Sequence, residues 1–437
     1  MQNIEKALDG FEPVNGLIPA AITKITAKNI RVHTIAGEDY QIEGEGLSLI
    51  QGRLNDKSSN VSEKMRIRVG SIIRIMRTHS SNSASWKVAQ LPQVESAAVA
   101  IDPKNGAVRA LVGGFDYNRN KFNHVTQSWR QPGSSFKPFI YSASLEKGYN
   151  PNSIINDEPI VINSAQTGSQ DWAPHNYDGK YEGPMKMRTA LAKSKNMVSI
   201  RILQSIGTQY AQDYAGRFGF DPAKHPPYLT MALGAGSVTP WQMVTGYAVF
   251  ANGGFKVNPY VVHQIRDEKN GILAQSAEVP AGDESIRAID PRNAFMMDSM
   301  LRDVTIYGTA ARASATLKRQ DLAGKTGTTN EYVDAWFCGY QMSVAGCAWI
   351  GFDTPKKLGD KETGGTAALP IWIGYMARAL KDVPVQIPQT PEGLASFGEG
   401  RNRNYVYSEN VGPEHAAGEG DNGTPEPKPE LDKPPTD

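Results

Sequence analysis

Three short polar motifs occur in this chain in a fixed order but far apart, so a fold that uses them must bring distant segments together. They are Ser134-Ser135-Phe136-Lys137, Ser194-Lys195-Asn196 and Lys325-Thr326-Gly327. A serine hydroxyl is a weak nucleophile at neutral pH, and a lysine three residues later on a helix lies on the same face, where it can act as a base. The trio therefore predicts a site of nucleophilic serine chemistry.

Each motif alone is weak evidence. At average composition, a serine and a lysine three apart occur by chance about twice in a chain of this length, and Lys-Thr-Gly on the order of 0.1 times. Ser144 and Lys147 repeat the first spacing, but they lie just before Gly148, where a lysine and a glycine are typical of a helix end. We interpret that second pair as structural and the ordered trio as the signal.

The local sequence places Ser134 at the start of a helix. Pro132 and Gly133 interrupt the chain just before it, and apolar residues with helical spacing run from Phe136 to Ala143. Ser134 would then lie at the positive end of the helix dipole, where an alkoxide or oxyanion is favoured.

The other two motifs have less distinctive surroundings. Ser194-Lys195-Asn196 lies between two helical patterns, 187–193 and 197–206, and taken alone it also fits an ordinary polar helix junction. Lys325 opens a segment with β character, followed by predicted strands at 335–340 and 344–350.

The trio and the phrases around it resemble the transpeptidase domain of class A penicillin-binding proteins. The phrases are QPGSSFKP at 131–138, LGAGSVTP at 233–240, GKTGTT at 324–329 and DAWF at 334–337. The resemblance covers about 94–384. It implies an α/β fold in which a mostly antiparallel sheet is flanked by helices.

The resemblance also implies a catalytic role for four residues. Ser134 would attack the penultimate carbonyl of a D-Ala-D-Ala stem peptide, and Lys137 would be its base. Ser194 would relay a proton between Lys137 or Lys325 and the leaving amine. An unperturbed lysine has a pKa of about 10.4, so Lys137 needs a lowered pKa to be neutral part of the time and act as a base. Both burial and the Lys325 ammonium would lower it.

Substrate binding is implied for the residues beside these groups. Asn196 would hold the amide of the acyl side chain, while Thr326 and Thr328 would bind the substrate carboxylate together with Lys325. Gly327, which has no side chain, would leave room for the substrate backbone beside the strand. Backbone donors of residues 134 and 328 would form the oxyanion hole.

The implied function is peptidoglycan D,D-transpeptidation through a serine acyl-enzyme. Glu268, Glu278 and Glu284 lie between the second and third motifs, and none is in the Glu-x-x-Leu-Asn context that class A β-lactamases use for deacylation. We therefore expect β-lactams to act as covalent inhibitors. Two alternatives stay open: a D,D-carboxypeptidase, in which water replaces the acceptor amine, and a catalytically silent penicillin-binding sensor or scaffold.

Composition excludes several other functions. The net charge is +1, from 46 basic and 45 acidic residues, so no bulk charge indicates nucleic acid binding. His124, His175 and His225 are separated by whole predicted elements, and we expect no metal and no organic cofactor.

The sequence contains neither an apolar run of membrane-spanning length nor a signal peptide. Members of the resembled family carry an amino-terminal membrane anchor and a glycosyltransferase domain, and neither is recognisable here. We therefore expect this chain to be soluble, to begin in the linker after the glycosyltransferase domain, and to act at the periplasmic face of the bacterial inner membrane.

The predicted organisation has four parts: a linker at 1–17, an OB-like β module at 18–92, the transpeptidase domain at 93–384, and an extension at 385–437. Short alternating stretches indicate a small β barrel in the second part. Because aromatic residues do not interleave with cations there, we expect a protein-docking or spacer module, with a periplasmic activator protein as the candidate partner. The extension is rich in Pro, Gly and acidic residues, and we expect disorder from about 412.

Two cysteines, Cys338 and Cys347, lie equally far from a predicted hairpin tip at 342–343. A cross-strand disulfide and two free thiols both fit this arrangement. We favour two free, partly buried thiols.

Overall fold

The computed structural model describes residues 2–54, 66–80, 83–163, 171–399 and 403–411. Two five-stranded antiparallel sheets dominate these residues, and each has its own apolar core. None of the helices in these ranges is long and apolar enough to cross a membrane.

The first sheet matches the predicted OB-like module. Its strands are β1 Ile18–Ile25, β2 Asn29–Thr34, β3 Asp39–Glu43, β4 Ile72–Ser80 and β5 Ser83–Ala89, in the order β3-β2-β1-β4-β5. β3 also contacts β5, so the sheet curls back on itself as a small barrel does. Alternate residues such as Ile30, Val32 and Ile75 are completely buried inside it, because a strand directs every second side chain to the same face.

Residues 1–17, which we predicted to be a linker, contain a helix. α1 spans Gln2–Leu8 and packs on β1 and β2, and Leu8 is completely buried. Part of this segment therefore belongs to the β module, because burying the Leu8 side chain against that module removes apolar surface from water and stabilises the contact.

The second sheet has the order β12-β13-β14-β6-β7 and is antiparallel throughout. Its strands are β6 Glu95–Ile101, β7 Val108–Val112, β12 Ala323–Thr328, β13 Asp334–Gln341 and β14 Val344–Gly351. The shorter strand pairs are β8 Ile154–Asp157 with β9 Gly183–Lys186, β10 Gln264–Arg266 with β11 Ile272–Gln275, and β15 Leu394–Phe397 with β16 Asn404–Tyr407.

Helices cover the second sheet and confirm the predicted α/β class. They are α2 Lys137–Leu145, α3 Met187–Lys193, α4 Asn196–Ile206, α5 Thr208–Gly216, α6 Pro240–Ala251, α7 Pro291–Ile306, α8 Ala311–Leu317 and α9 Leu369–Ala379. α6 packs on β6, β13 and β14, α7 packs on β12, and α9 packs on β13 and β14. Every residue of α2 is buried, so this helix forms the centre of the core.

The extension after residue 384 packs back onto this domain as far as it is described. Tyr405 and Tyr407 of β16 are buried in its core, and Arg292 of α7 pairs with Glu409 at 2.9 Å. The acidic tail at 412–437, where we expect disorder, lies outside the described residues.

The interpretation of Cys338 and Cys347 as free thiols is wrong. The two residues are directly opposite on β13 and β14, as the hairpin symmetry predicted, and they form a disulfide with an S–S distance of 2.08 Å. The sheet register brings the Cα atoms to 4.1 Å, which makes the bond geometrically accessible.

Candidate active site

Ser134 lies in a tight 3₁₀ turn, Gly133–Phe136, that runs directly into α2. The predicted helix start is therefore correct in position, although the first turn is 3₁₀ rather than α. Gly133 has φ +54°, and a Cβ there would be 2.6 Å from the carbonyl oxygen of Thr328. Only glycine lets the Ser134 turn press against the end of β12.

Residues of the LGAGSVTP segment at 233–240 pack against the same turn. Gly234 also has a positive φ, +73°, and a Cβ there would be 2.1 Å from the oxygen of Gly133. Its backbone oxygen accepts a hydrogen bond from the Gly133 N–H at 3.3 Å. Two glycines in contact thus fix the position of the Gly133–Phe136 turn, which carries Ser134.

Lys137 is the first residue of α2, and its side chain is completely buried. Its Nζ donates to the backbone oxygen of Ser194 at 2.8 Å and to Asn196 Oδ1 at 2.8 Å, and it lies 3.4 Å from Ser194 Oγ. Burial, and then the charge of Lys325, hold the pKa of Lys137 well below its ordinary value. The lowered pKa increases the fraction of Lys137 that is neutral and can accept a proton.

Ser194 lies in the connection between α3 and α4, as predicted, whereas Asn196 is the first residue of α4. Ser194 is in the left-handed region, with φ 61° and ψ 38°, which turns the chain sharply between the two helices. A non-glycine residue held there costs conformational energy, and such residues are concentrated at functional sites.

Lys325 of β12 completes the arrangement from the sheet side. Its Nζ donates to Ser194 Oγ at 2.9 Å and to the Thr326 backbone oxygen at 3.0 Å. Burial lowers the pKa of Lys325 to about 7. The Ser194 hydroxyl therefore lies between two buried amines, Lys137 and Lys325, and can pass a proton between them.

Thr326 and Thr328 lie two residues apart on β12, so their side chains belong to the same face of the strand. Thr326 is buried and its hydroxyl lies 2.7 Å from that of Thr309, whereas Thr328 is half-buried and its Oγ1 accepts a hydrogen bond from the Gly364 N–H at 3.1 Å. The Thr328 hydroxyl is therefore more exposed than that of Thr326, and it can donate its hydrogen to a ligand.

The room that Gly327 leaves for a substrate stays a prediction, but the structure shows a further need for glycine at this position. A Cβ at this position would be 2.3 Å from the Pro132 oxygen and 2.8 Å from Ser135 Oγ. Glycine at this position therefore lets the segment from Pro132 to Ser135 pack directly against β12. In the described residues β12 is an edge strand of its sheet.

Sequence reasoning missed the groups that orient Asn196. Its Nδ2 donates to the His175 backbone oxygen at 2.7 Å, and its N–H donates to Asn176 Oδ1 at 2.8 Å. These bonds leave Asn196 Oδ1 facing Lys137. The polar run at 175–178 was the available signal, but nothing in it pointed to the second motif.

Other candidates are structural. Ser144 Oγ donates to the Tyr141 backbone oxygen at 2.7 Å, and Lys147 lies over the Tyr210 ring. Both contacts agree with the prediction that Ser144 and Lys147 are structural residues. His225 stacks on Phe136, and burial lowers its pKa to about 4, so it is neutral. Within the described ranges, no group of three or more His, Cys, Asp or Glu side chains could hold a metal ion.

Two sequence families match this chain. The family described as "Penicillin binding protein transpeptidase domain" matches residues 96–353, and the one described as "Penicillin-binding protein OB-like domain" matches residues 1–94.

Curated relatives are similar over most of this chain. Penicillin-binding protein 1A of Neisseria flavescens is 44% identical over 400 residues, which cover 91% of this chain and 49% of that protein. The protein of the same name from Pseudomonas aeruginosa is 38% identical, with 90% of this chain and 53% of that protein covered. The chain thus spans about half the length of the curated relatives it matches.

Solved structures are similar as well. Penicillin-binding protein 1A from Haemophilus influenzae superposes with a TM-score of 0.82 at 32% identity, covering 93% of this chain and 65% of that one. The PonA1 protein from Mycobacterium tuberculosis in complex with penicillin V gives a TM-score of 0.58 at 27% identity, covering 70% of this chain and 83% of that one.

Proposed function

Because this chain belongs to the penicillin-binding protein transpeptidase domain family, we propose that it is a serine D,D-transpeptidase that crosslinks peptidoglycan stem peptides. The observation that carries the proposal is the Ser194 hydroxyl, 2.9 Å from Lys325 Nζ and 3.4 Å from Lys137 Nζ. Two buried amines bridged by one hydroxyl form a proton relay beside the turn that carries Ser134.

The first half-reaction forms an ester on Ser134. Its Oγ attacks the penultimate carbonyl carbon of a D-Ala-D-Ala stem peptide while neutral Lys137 takes the hydroxyl proton. The backbone N–H groups of Ser134 and Thr328 stabilise the tetrahedral oxyanion. The C–N bond then breaks, the proton passes through Ser194 to the leaving nitrogen, and the terminal D-Ala leaves as an amine.

The second half-reaction reverses these steps with a different amine. The acceptor amine attacks the Ser134 ester and loses a proton to the relay, and Ser134 Oγ recovers a proton as it leaves. Since water in place of the acceptor would give carboxypeptidase activity, the balance between the two depends on access of the acceptor.

Substrate binding uses the edge of β12 and the groups beside it. An extended peptide adds to a free strand edge through backbone hydrogen bonds. Protonated Lys325, with the Thr326 and Thr328 hydroxyls, binds the substrate carboxylate, and the Asn196 amide binds the acyl side chain. Gly327 contributes through the close packing of its backbone against the nucleophile turn.

β-Lactams acylate the same serine and are released slowly. The PonA1 protein, with a similar fold, is described in complex with penicillin V. We assign the activity to the periplasmic face of the bacterial inner membrane, and the first sheet to contacts with a periplasmic activator protein.

Intact-mass measurement after incubation with benzylpenicillin tests the nucleophile. A covalent adduct is expected on the parent chain and on Ser144→Ala, and its absence is expected on Ser134→Ala. Ser144 is the matched control because it repeats the serine–lysine spacing and is structural. An adduct that persists in Ser134→Ala would refute the assignment.

Transfer of a donor pentapeptide onto a diamino acceptor tests the reaction type. Crosslinked product supports the transpeptidase, release of D-Ala without crosslinking indicates the carboxypeptidase, and an adduct without either product indicates a sensor or scaffold.

A further inference from the structure

Lys195, the middle residue of the second motif, has no part in the proposed chemistry, yet its side chain is only 1% exposed. Its Nζ lies 3.3 Å from Asp157 Oδ2, 3.1 Å from Asp178 Oδ2 and 3.0 Å from Glu182 Oε1. Burying an ammonium costs desolvation energy that a solvated helix junction would avoid. This desolvation cost makes Lys195 a candidate for a functional role.

Among the three carboxylates around Lys195, only that of Asp157 is completely buried, while those of Asp178 and Glu182 are 46% and 37% exposed. Solvent screens the exposed pair. Asp157 therefore carries the charge whose field reaches furthest into the protein. It is fixed at the end of β8, where it accepts hydrogen bonds from Asn176 Nδ2 at 2.7 Å and from the Glu182 N–H at 3.1 Å.

The Asp157 cluster is connected to the active site through Asn176. Asn176 Nδ2 holds Asp157, while its Oδ1 accepts from the Asn196 N–H, and Asn196 Oδ1 accepts from Lys137. Two charged groups act on Lys137 from the elements around it: Lys325 on β12 lowers its pKa and Asp157 on β8 raises it.

We propose that Lys195 is a positioning residue that holds the second motif in place and cancels the field of the buried Asp157 carboxylate at Lys137. This inference rests on the proposed role of Lys137 as the base. Without the Lys195 charge, the Asp157 carboxylate favours protonated Lys137, so the enzyme needs a higher pH to hold the same fraction of neutral base.

The test is the pH dependence of acylation by a fluorescent penicillin, measured as a second-order rate constant from about pH 5 to about pH 10. In Lys195→Met the acid limb should move to higher pH by about half a pH unit or more. In Asp157→Asn the loss of the carboxylate that raises the Lys137 pKa, with the Lys195 ammonium still in place, should move it to lower pH. The double variant should return it close to the wild-type position.

Lys193→Met is the matched control. This lysine is 44% exposed and also pairs with Glu182. Its removal therefore takes one positive charge from the same cluster but leaves the Lys195 ammonium paired with Asp157. Its acid limb should stay in place. Thermal melting identifies any variant that fails to fold, and if Lys195→Met does so, the difference between the acid limbs of Asp157→Asn and the double variant decides.

An acid limb that stays at the wild-type pH in Lys195→Met, with only the rate reduced, would overturn the proposal and leave Lys195 a purely structural role. A wild-type chain that forms no penicillin adduct would instead refute the proposed function. The two failures are therefore distinguishable.

Discussion

Replacing Lys325 by methionine should make the protein more stable at neutral pH, because the buried amine costs the fold free energy. Its pKa falls from the ordinary lysine value of 10.5 to about 7 on burial. Each step of one in pKa corresponds to about 1.36 kcal/mol, so the protonated form is disfavoured in the folded state by about 5 kcal/mol. The lost hydrogen bonds to Ser194 and Thr326 offset about 1 kcal/mol each.

The sign of the pH dependence follows from where the proton binds. Between pH 7 and pH 10.5 the unfolded chain holds a proton on Lys325 that the folded chain has released, so wild-type stability rises with pH across this window. Below it the full cost is present. The variant should therefore be more stable than wild type by about 3 kcal/mol at pH 7 and less stable by about 2 kcal/mol above pH 10.5.

Urea unfolding followed by tryptophan fluorescence, repeated across this pH range, measures the difference. Lys193→Met is the control, because an exposed lysine should leave the difference independent of pH. A flat difference for Lys325→Met over the same window would show that Lys325 titrates as an ordinary lysine and would refute the reasoning.

Three further results are expected. Gly133→Ala should reduce penicillin acylation by about 100-fold by displacing the nucleophile turn, whereas Gly148→Ala, with positive φ but nothing within 4 Å of the added Cβ, should keep the wild-type rate. Thiol titration of the denatured, oxidised protein should find no free thiol, and replacing both Cys338 and Cys347 by alanine should lower the unfolding free energy by about 2–3 kcal/mol, given their sequence separation of 9. Affinity for a penicillin should fall as Lys325 loses its proton above pH about 7, and the methyl ester of the same penicillin, which has no carboxylate, should not show this loss.

Local patterns were enough to predict the elements that carry the site. The apolar spacing after Gly133 predicted the helix that begins at Lys137, and the helical patterns on both sides of Ser194 predicted the connection between α3 and α4. The symmetry of the predicted hairpin about 342–343 predicted that Cys338 and Cys347 face each other. These features depend on residues close in sequence, whose periodicity and turn chemistry are visible in the chain.

Other features depend on contacts between distant segments. The conformation of Asn196 is set by residues 175 and 176, and the need for glycine at position 327 comes from Pro132. In each case the determining neighbour is remote along the chain, so no local pattern encodes it.

The sequence by itself determined which residues could do the chemistry: one serine, two lysines and a second hydroxyl, in an order typical of one family. The tertiary structure alone decided that they could do it at neutral pH. Burial alone lowers the pKa of Lys325 to about 7, and burial together with the Lys325 charge lowers that of Lys137. Packing creates both conditions, because α2 packs against α4 and the Gly133–Phe136 turn packs against β12.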